Sequence, residues 1–504
     1  ALHDQLAEAV VSATPRFLDT TPIGRIMVRF AKDMRIVDED VTELLFRCIR
    51  SCVLVGLSLA AISSAIPPFV AVGLAVLAAY AWLMWRYMQV QREASRLEAT
   101  SYAPVVSLYS EMVPGAATIR AFAMQASYLR ELERRTAAHY RADFARRAQA
   151  RWLAVRMALA SALSSFATAV FVLLRAQAVG PGLAGFVLVY AVSFWIESSM
   201  AVRAYSDLEL SLGCVERAHQ YVDIAREAPA TTPADAALPP DWPRTGALAV
   251  TGLVTGYTPD APVLHGLTFA VRAGEKIGVV GRTGAGKSTL AQALLRLLEA
   301  SAGRIELDGV DVAGVGLARL RLGVTMVPQD PVLFNGTVRF NLDPFGDRPD
   351  ALLLDALQRT LLLRDPSGSG GGGGVAAFDS LDDVVTENGR SLSLGQRQLV
   401  ALARALVRRS QLVIMDEATA SVDFATDACL QRVLRGAELA ASTLVCIAHR
   451  LRTVVDYDRV VVLDAGRVAE FDTPAQLLAR EGGLFRRLCE DSGELAELER
   501  LARR

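Results

Sequence analysis

A glycine-rich segment at residues 281–288 has the spacing of a phosphate-binding loop. It reads Gly281-Arg-Thr-Gly-Ala-Gly-Lys-Ser288 and lies between an apolar run that predicts a buried strand and a run that predicts a helix. Glycines let successive backbone N–H groups curl around phosphate oxygens, and a helix N-terminus adds a favourable dipole. We expect Lys287 to contact the β- and γ-phosphates of a nucleotide and the Ser288 hydroxyl to bind Mg²⁺. The predicted nucleotide contacts are Gly281, Thr283, Gly284, Gly286, Lys287, Ser288 and Thr289.

Two adjacent carboxylates, Asp416 and Glu417, follow the apolar run 412–415. An acidic strand end is an ordinary feature when it occurs alone. Together with a phosphate loop, it predicts that Asp416 helps to hold Mg²⁺ and that Glu417 polarises an attacking water as a general base. The chemistry that these residue types favour is hydrolysis of a nucleoside triphosphate.

The elements that must position these residues are an alternation of short β-rich apolar runs and helical patterns over residues 246–490. This alternation predicts an α/β nucleotide-binding domain. Residues 226–245 are rich in proline and alanine, so they predict a linker that cannot form a stable helix. The low-complexity segment Ser367 to Gly374 is interpreted as a flexible insertion without chemistry, and residues 491–504 as a C-terminal tail.

The N-terminal residues 1–225 have a different character, because long stretches carry no charge. Ser51 to Trp85 is uncharged and is interrupted only by a proline pair, and Met157 to Leu174 is uncharged as well. About 20 residues cross the bilayer core as a helix. We therefore predict four membrane spans, at about 47–66, 68–87, 155–176 and 183–203. Buried helices of a large soluble core are the alternative.

Loop charge predicts the orientation of these spans. Eleven arginines lie between Arg86 and Arg151, whereas the short loops within the two pairs of spans carry almost none. The positive-inside rule places residues 86–151, and everything after 203, in the cytoplasm. The sequence thus predicts a multi-pass integral membrane protein with a cytoplasmic nucleotide-binding domain, in a plasma or organelle membrane.

Composition limits the other function classes. The formal net charge of the chain is −1, so nothing favours a nucleic-acid partner. The six cysteines form no CxxC pair, and no histidine lies at metal-ligand spacing from them. This pattern favours free or structural thiols in a reducing compartment.

Further motifs resemble those of the ABC ATPases. Leu392-Ser-Leu-Gly-Gln396 resembles the signature that distinguishes this family from other phosphate-loop enzymes. The resemblance implies that Gln329 is the Q-loop residue and a magnesium ligand, Asp423 the D-loop residue, and His449 the switch histidine. Tyr257 resembles the aromatic residue that stacks on adenine. The implied catalytic residues are Glu417, His449, Lys287 and Gln329; the implied magnesium ligands are Ser288, Gln329 and Asp416; and further nucleotide contacts are Tyr257, Ser393, Gly395, Gln396 and Asp423.

Segments upstream, such as FLDTTPIGRIMVRFAKDMRIVDED, resemble the second membrane domain of the C, or multidrug-resistance-associated, subfamily. The implied fold is an all-α polytopic membrane domain of the ABC exporter type, followed by an α/β P-loop ABC ATPase domain. Such a membrane domain has six spans, and four are present. We therefore expect that the first two spans and the entire N-terminal half are missing, and that this half or an equivalent one is the partner.

The resemblance implies ATP-driven export of a small amphipathic substrate, organic anions or conjugates, with ATP and Mg²⁺ as cofactors and the lipid bilayer as surroundings. In this family two nucleotide-binding domains sandwich two ATP molecules, and each phosphate loop is completed by the signature of the other domain. Leu394 occupies a glycine position of the signature. The alternatives are a nucleotide-gated channel or regulatory receptor of the same subfamily, and a soluble ABC ATPase acting on DNA or ribosomes.

Two regions are expected to connect the spans with ATP. The resemblance implies that the segments Thr21 to Val37 and Pro104 to Thr118 are coupling segments. Glu197 falls inside the fourth predicted span, where a charge is costly, so we expect it to face a cavity or a partner such as Arg203. Arg156 and Arg175 bracket the third span, either as interfacial anchors or as contacts for an anionic substrate.

Overall fold

The computed structural model describes residues 2–502, except for residues 175–179, 259, 365–375, 417–423, 437–438 and 449. The chain forms two compact units. The first, called here the helical unit, comprises Ala1–Ser12 and Thr20–Ile224. The second, called the α/β unit, comprises Ala13–Asp19 and Ala225–Arg504.

Eight α-helices precede the first strand: α1 (Leu2–Val11), α2 (Pro15–Thr20), α3 (Ile23–Val28), α4 (Val41–Ala65), α5 (Phe69–Met112), α6 (Ala116–Ala121), α7 (Gln125–Leu174) and α8 (Pro181–Val222), counted over the described residues. Two π-helical segments, Arg29–Asp33 and Ile36–Asp40, connect α3 with α4, so the helix runs from Ile23 to Ala65. Proline sets the boundaries of the long helices. Pro67 and Pro68 separate α4 from α5, and Pro181 begins α8, because proline disrupts a helix interior but is tolerated in the first turn.

Four helices of the described part of the chain are long and apolar enough to cross a membrane. They confirm the predicted number of apolar helices, one for each predicted span. The third predicted span, 155–176, runs two residues beyond Leu174, into the part that is not described. The membrane boundaries within the helices remain predictions.

The long helices pack in pairs. Along α4 and α8 the buried contacts include Val55, Ile62, Val187 and Phe194, and along α5 and α7 they include Tyr80, Leu83, Leu153 and Met157. Both pairs bury only a stripe of each helix. Large apolar residues outside these stripes are exposed, as Trp82, Leu163 and Phe166 illustrate at 60–70%. This distribution is the one expected for helices whose outer faces meet lipid or further helices.

The prediction for Glu197 is only partly correct, because its partner is not Arg203. Glu197 on α8 does have a partner, but it is Ser51 on α4, whose hydroxyl donates a 2.9 Å hydrogen bond to Oε2. Arg203 instead donates to Ser199, one turn earlier on its own helix, at 3.3 Å. Glu197 lies on the α4-facing side of α8, whereas a residue six positions later points elsewhere on the helix surface. Arg156 stacks on the ring of Trp152 at 3.9 Å, and Arg175 lies outside the described residues.

The α/β unit is built on a six-stranded sheet with the order β12-β11-β3-β10-β9-β6. Its strands are β3 (Lys276–Gly281), β6 (Val324–Val327), β9 (Leu412–Asp416), β10 (Thr443–Ile447), β11 (Arg459–Asp464) and β12 (Arg467–Asp472). All neighbours are parallel except β11 and β12. Residues of the central strands are buried on both faces: Val279 and Ile414 join one hydrophobic cluster, and Val280 and Met415 the other. Such near-continuous apolar strands are typical of a covered parallel sheet.

A second sheet is antiparallel, with the order β2-β1-β4-β5, formed by β1 (Leu248–Thr255), β2 (Leu264–Val271), β4 (Ala302–Leu307) and β5 (Val310–Asp311). A short antiparallel pair joins β7 (Gly336–Thr337) to β8 (Val384–Val385). The helices are α9 (Lys287–Leu294), α10 (Leu317–Gly323), α11 (Val338–Leu342), α12 (Asp350–Arg359), α13 (Leu394–Arg408), α14 (Phe424–Leu434), α15 (Pro474–Ala479), α16 (Leu484–Asp491) and α17 (Leu495–Ala502).

The segment predicted as a linker, 226–245, contains no α-helix in the structure, only the 3₁₀ turn Pro233–Ala237. It is nevertheless attached to the α/β unit. Arg321 donates to both carboxylate oxygens of Glu227, at 2.7 and 2.8 Å, and Asp235 accepts from the backbone of Gly316 at 2.8 Å. The aromatic ring of Trp242 is buried. The prolines prevent a helix, while the charged and aromatic side chains between them fix the segment to the domain surface.

The segment predicted as a tail, 491–504, differs from that expectation because it contains α17. Its leucines recur at residues 495, 498 and 501, a spacing that places them on one face of a helix. Leu498 is fully buried in the same cluster as Phe485 and Cys489 of α16. The C-terminal residues therefore belong to the packed domain up to Ala502.

Candidate nucleotide-binding site

The phosphate loop connects β3 with α9, as predicted. Gly281 ends the strand at a point where a Cβ atom would lie 2.3 Å from the carbonyl oxygen of Leu463 on β11, so only glycine fits. Gly286 precedes α9 with φ of +98°, a conformation that other residues rarely adopt. These two glycines permit the sharp backbone turn that a phosphate-binding loop requires before its helix.

Three of the predicted side chains converge on this loop. The Lys287 ammonium curls back and donates to the carbonyl oxygens of Gly281 at 2.8 Å and Arg282 at 3.3 Å. The Ser288 hydroxyl lies 3.4 Å from Oδ1 of Asp416, at the end of β9. Lys287 and Asp416 are both largely buried, at 6% and 8% exposure, whereas Ser288 is exposed. The remaining predicted loop contacts divide in the same way: Thr289 is buried, and Thr283 and Gly284 are exposed.

The pair Ser288 and Asp416 fits Mg²⁺, because a hydroxyl and a carboxylate are hard oxygen ligands and Mg²⁺ binds through a few such groups plus water and phosphate. Their oxygens are already within contact distance, so a small opening would admit a cation between them. The lysine ammonium next to them supplies the charge that a triphosphate requires.

The remaining catalytic predictions follow strands that end at one edge of the sheet. Asp416 is in register with Ile447 of β10, and Val327 of β6 is in register with Met415. The parallel arrangement brings the carboxyl ends of β3, β10, β9 and β6 together, where ligands of open α/β sheets bind. Glu417, Asp423 and His449 lie outside the described residues, so their predicted roles remain predictions.

Gln329 lies two residues beyond the end of β6, with an exposed side chain. Its described contact is through the backbone, since its carbonyl oxygen accepts a 3.1 Å hydrogen bond from Nε2 of Gln398 on α13. This bond connects the segment that follows β6 with α13, the helix that begins within the predicted signature. A role of the Gln329 side chain as a magnesium ligand remains a prediction.

Tyr257 lies in the turn between β1 and β2 and is 41% exposed, so its ring is accessible for stacking. The end of this turn lies beside the phosphate loop: Val263 has a side-chain atom 3.6 Å from the position that a Cβ would take at Gly286. Val263 is fixed by its backbone bond to Thr255. The end of the turn that carries Tyr257 is therefore close to the phosphate loop, and stacking of Tyr257 on adenine remains a prediction.

The signature residues begin α13. Ser393 and Gln396 form a capping box, in which Gln396 N–H donates to the Ser393 hydroxyl at 3.1 Å and Ser393 N–H donates to the Gln396 side chain at 2.9 Å. Gly395 is buried, and a Cβ there would lie 3.0 Å from the side chain of Thr426. The helix N-terminus is thus rigidly defined, and the predicted contact with a nucleotide bound to another domain remains a prediction.

Sequence reasoning missed a hairpin turn that supports the phosphate loop. Gly466, between β11 and β12, donates its N–H to the carbonyl oxygen of Ala285 in the loop and accepts from the N–H of His265. A Cβ at Gly466 would lie 2.0 Å from the Val263 carbonyl oxygen. The Ala465-Gly466 pair between two apolar runs is the signal of a tight hairpin, but its contact with the loop is a long-range feature.

A cavity with charges of both signs lies beside the loop. It has a volume of about 1260 Å³, begins at Gly281–Thr283 and is lined mainly by α14, residues 450–453 and the C-terminal helices. Its lining contains five arginines and two carboxylates: Arg282, Arg432, Arg435, Arg450, Arg452, Asp491 and Glu494. Arg435 and Arg452 are paired with Asp456 and Glu497, so part of the positive charge is compensated. Burial raises the pKa of the Cys446 thiol on β10 to about 12, so this thiol is protonated at neutral pH.

Comparisons with known proteins match both units. Residues 264–420 match the ABC transporter family, and residues 1–198 match the ABC transporter transmembrane region. The chain belongs to the ABC transporter family. It thus combines a membrane-spanning helical domain with an α/β ATP-binding domain, and the predicted fold class is confirmed.

Three relatives illustrate the similarity of this chain to known transporters. A pleiotropic ABC efflux transporter of multiple drugs from Candida glabrata is 40% identical over 100% of this chain and 31% of its own length. An ATP-dependent bile acid permease from Saccharomyces cerevisiae is 37% identical, with the same coverage. ATP-binding cassette sub-family C member 2 from Rattus norvegicus is 37% identical over 96% of this chain. The C subfamily resemblance is confirmed, and the chain spans about a third of the length of these relatives.

The fold also resembles that of a bacterial Atm1-family ABC exporter with ATP bound. The TM-score is 0.84 at 24% identity, over 97% of this chain and 84% of that chain. This similarity applies to the arrangement of both units along the chain.

Proposed function

We propose that this chain is the C-terminal part of an ATP-driven exporter that hydrolyses ATP at the site between β3, β9 and β10. The observation that carries the proposal is the convergence of Lys287, Ser288 and Asp416 on one phosphate loop, in a chain with four apolar helices. The arrangement supports both halves of the function, since one unit can use ATP and the other can cross a membrane.

In the proposed mechanism the loop amides and Lys287 hold the β- and γ-phosphates, and the exposed ring of Tyr257 stacks on adenine. Ser288 and Asp416, with Gln329, would hold Mg²⁺, which neutralises phosphate charge when bound. Glu417 accepts a proton from the attacking water, and His449 contacts the γ-phosphate side. Asp423 belongs to the loop that follows the acidic strand.

The proposed partner is the other half of a full transporter, with a second nucleotide-binding domain. The signature residues Ser393, Gly395 and Gln396 then complete the ATP site of that partner, while its signature completes the site described above. Leu394, at a glycine position, adds bulk where a loop must approach phosphate, so we expect slower turnover at the partner's site.

The proposed cargo is a small amphipathic compound, an organic anion or conjugate. Support comes from relatives named for multiple drugs and bile acid. The eleven arginines between Arg86 and Arg151 support a cytoplasmic location for that segment and for the α/β unit, in a multi-pass membrane protein.

The test is ATP-dependent uptake of labelled organic anions by inverted membrane vesicles that contain the full-length transporter. We expect uptake in the unaltered protein and none in the Glu417→Gln variant, which should still bind ATP. ATP binding without uptake, accompanied by a nucleotide-dependent membrane current, would instead support a channel or regulatory receptor.

A further inference from the structure

A buried carboxylate connects the first and last long helices of the helical unit. Asp33 is only 2% exposed and belongs to the first π-helical segment. Arg217 of α8 approaches it with two nitrogens, Nη2 at 3.0 Å from Oδ1 and Nε at 3.2 Å from Oδ2. Arg29, one turn earlier, donates to Oδ2 at 2.5 Å. One carboxylate is therefore held by two guanidinium groups from two different helices, a cluster called here the Asp33 clasp.

Additional contacts surround the Asp33 clasp. The Arg217 guanidinium also contacts the Cys214 sulfur at 3.0 Å, and the Arg29 guanidinium lies 5.5 Å from the ring centre of Tyr221. Both of these neighbours are on α8 and buried. Asp33 is buried whereas the Arg217 side chain is 42% exposed, so removing Arg217 leaves a buried carboxylate that has lost one of its two arginine partners.

The Asp33 clasp lies well outside the predicted membrane spans on both helices. Asp33 precedes the predicted first span, which begins near residue 47, by 14 residues, and Arg217 follows the predicted fourth span, which ends near 203, also by 14 residues. At 1.5 Å per residue the clasp lies about 21 Å beyond the predicted membrane on both helices. The Asp33 clasp therefore lies outside the part of the α4–α8 contact that is within the predicted spans.

Two further facts bear on its role. The π-helical segments Arg29–Asp33 and Ile36–Asp40 interrupt the regular helix at the clasp, and such segments are frequent at functional sites. Arg217 is also only eight residues from Ala225, where the chain enters the α/β unit. A movement of the α/β unit that is transmitted along the chain reaches α8 at this end.

We infer that Asp33 is a positioning residue for transport. By joining Arg217 to the helix that contains α4, it makes the parts of these two helices that extend beyond the predicted membrane move as one body. This inference rests on the proposed function, because it concerns how ATP-driven movement reaches the spans. Without the clasp, the ends of the two helices beyond the predicted spans could separate although α4 and α8 stay packed within the spans, and less of the ATP-driven movement would reach α4.

The test uses the full-length transporter in proteoliposomes and compares Arg217→Gln and Asp33→Asn with the unaltered protein. The measured quantity is cargo transported per ATP hydrolysed. Loss of an energetic coupling between two elements changes an equilibrium by about fivefold or more, so we expect this ratio to fall at least fivefold while ATP hydrolysis continues. Arg134→Gln is the matched control, since it removes the ion pair of the exposed Arg134 with Glu131 on α7, outside both predicted coupling segments, and should leave the ratio unchanged.

The charge-swapped double variant Asp33→Arg with Arg217→Asp distinguishes coupling from folding, because it should restore the ratio. Transport and hydrolysis that decline together in the single variants, with an unchanged ratio, would overturn the inference. So would a folded swap variant whose ratio stays low.

A second measurement does not depend on transport. Spin labels at the exposed positions Lys32 and Gln220 report the distance between the two helix ends. We expect the same narrow distance distribution with and without ATP in the unaltered protein, and a broader one in Arg217→Gln. A distance that changes with ATP in the unaltered protein contradicts the clasp, whereas absence of ATP-driven uptake alongside a constant distance contradicts only the proposed function.

Discussion

The two units use apolar residues in opposite ways. In the α/β unit all five residues of β9 are buried, and its polar Asp416 is buried with them. In the helical unit only 22–28% of the residues in the most apolar stretch of each long helix are buried. The same residue types therefore form an interior in one unit and an outer surface in the other. An apolar run in a sequence identifies burial from water, not burial inside protein.

Many polar side chains of the helical unit bond within their own helix. Hydroxyls return to backbone carbonyl oxygens one turn earlier, as Ser161 does to Met157, Thr168 to Ser164 and Ser198 to Phe194, each within 2.6–2.8 Å. Other polar groups connect distant segments in both units, as Ser51 does with Glu197 and Ser288 with Asp416. Polar contacts between elements are therefore common to the two units, whereas the burial of apolar residues is not.

The largest effect is expected for the lysine of the phosphate loop. Lys287→Met removes the only buried cation next to the γ-phosphate position among the described residues of the loop, so ATP hydrolysis by the full transporter should fall about 100-fold or more. Phosphate release is the measurement. Lys276→Met is the matched control, because Lys276 begins the same strand but bonds to the carbonyl oxygen of Leu434. Similar losses of hydrolysis in both variants would mean that the substitutions act by disturbing β3 rather than by removing a group of the site.

The membrane interpretation of the exposed apolar faces predicts the second effect. Leu163 is 70% exposed in the middle of the third predicted span, and Leu129 is 54% exposed near the start of the same helix, outside that span. Leu163→Lys should make insertion of the span about 3–4 kcal/mol less favourable, whereas Leu129→Lys should have almost no effect. Glycosylation mapping in microsomes measures insertion. Equal insertion of the two variants would assign the exposed leucines to a water-facing surface.

An ion pair in the α/β unit predicts a pH-dependent effect. Burial alone would raise the pKa of Glu275, but hydrogen bonds from Arg459 and from the backbone of Arg272 outweigh it, and the pKa lies below its ordinary value of 4.5. A lowered pKa in the folded state means that the pair stabilises the protein above pH 4.5, and that this contribution is lost as the pH falls through the lowered pKa.

Glu275→Gln should therefore destabilise the α/β unit by about 2 kcal/mol at pH 7, and by progressively less below pH 4.5. Hydrogen exchange of the amides in β3 and β11 measures this in the full chain, and the exposed Glu481→Gln is the control. A difference that stays constant down to pH 3 would show that the glutamine acts through packing rather than charge.

The α/β fold could be predicted from the sequence because its signals are local. A glycine-rich loop between a strand and a helix is recognised from a few consecutive residues, and it gives meaning to an acidic strand end that would be ordinary alone. The pairing of Gly466 with Ala285 could not be predicted, since it depends on which strands become neighbours in the sheet. For the same reason α17 was interpreted as a tail: a short amphipathic run of eight residues becomes a helix only when it has a surface to cover.

The number of long apolar helices in the helical unit was predictable, but not their pairing. The proline pair at 67–68 and the uncharged runs define where helices end and which parts can meet lipid. They do not show that α4 pairs with α8, and so they did not identify Ser51 as the partner of Glu197. Side-chain partners across a seam require the rotation of both helices, which the spacing of residues along one helix cannot supply.

The smallest effect is expected at this seam and tests whether packing or polarity holds it together. Ser51 is fully buried, and its hydroxyl donates to Glu197 at 2.9 Å. Hydrogen bonds between membrane helices contribute about 0.6 kcal/mol on average, so Ser51→Ala should lower the unfolding free energy of the chain in micelles by about that amount. Ser64→Ala is the control, because this exposed hydroxyl returns to Ala61 on its own helix. If the loss at Ser51 instead exceeds about 2 kcal/mol, beyond the strongest such bonds measured, the α4–α8 pair depends on a polar contact as the ATP site does, and the contrast between the units is weaker than their burial suggests.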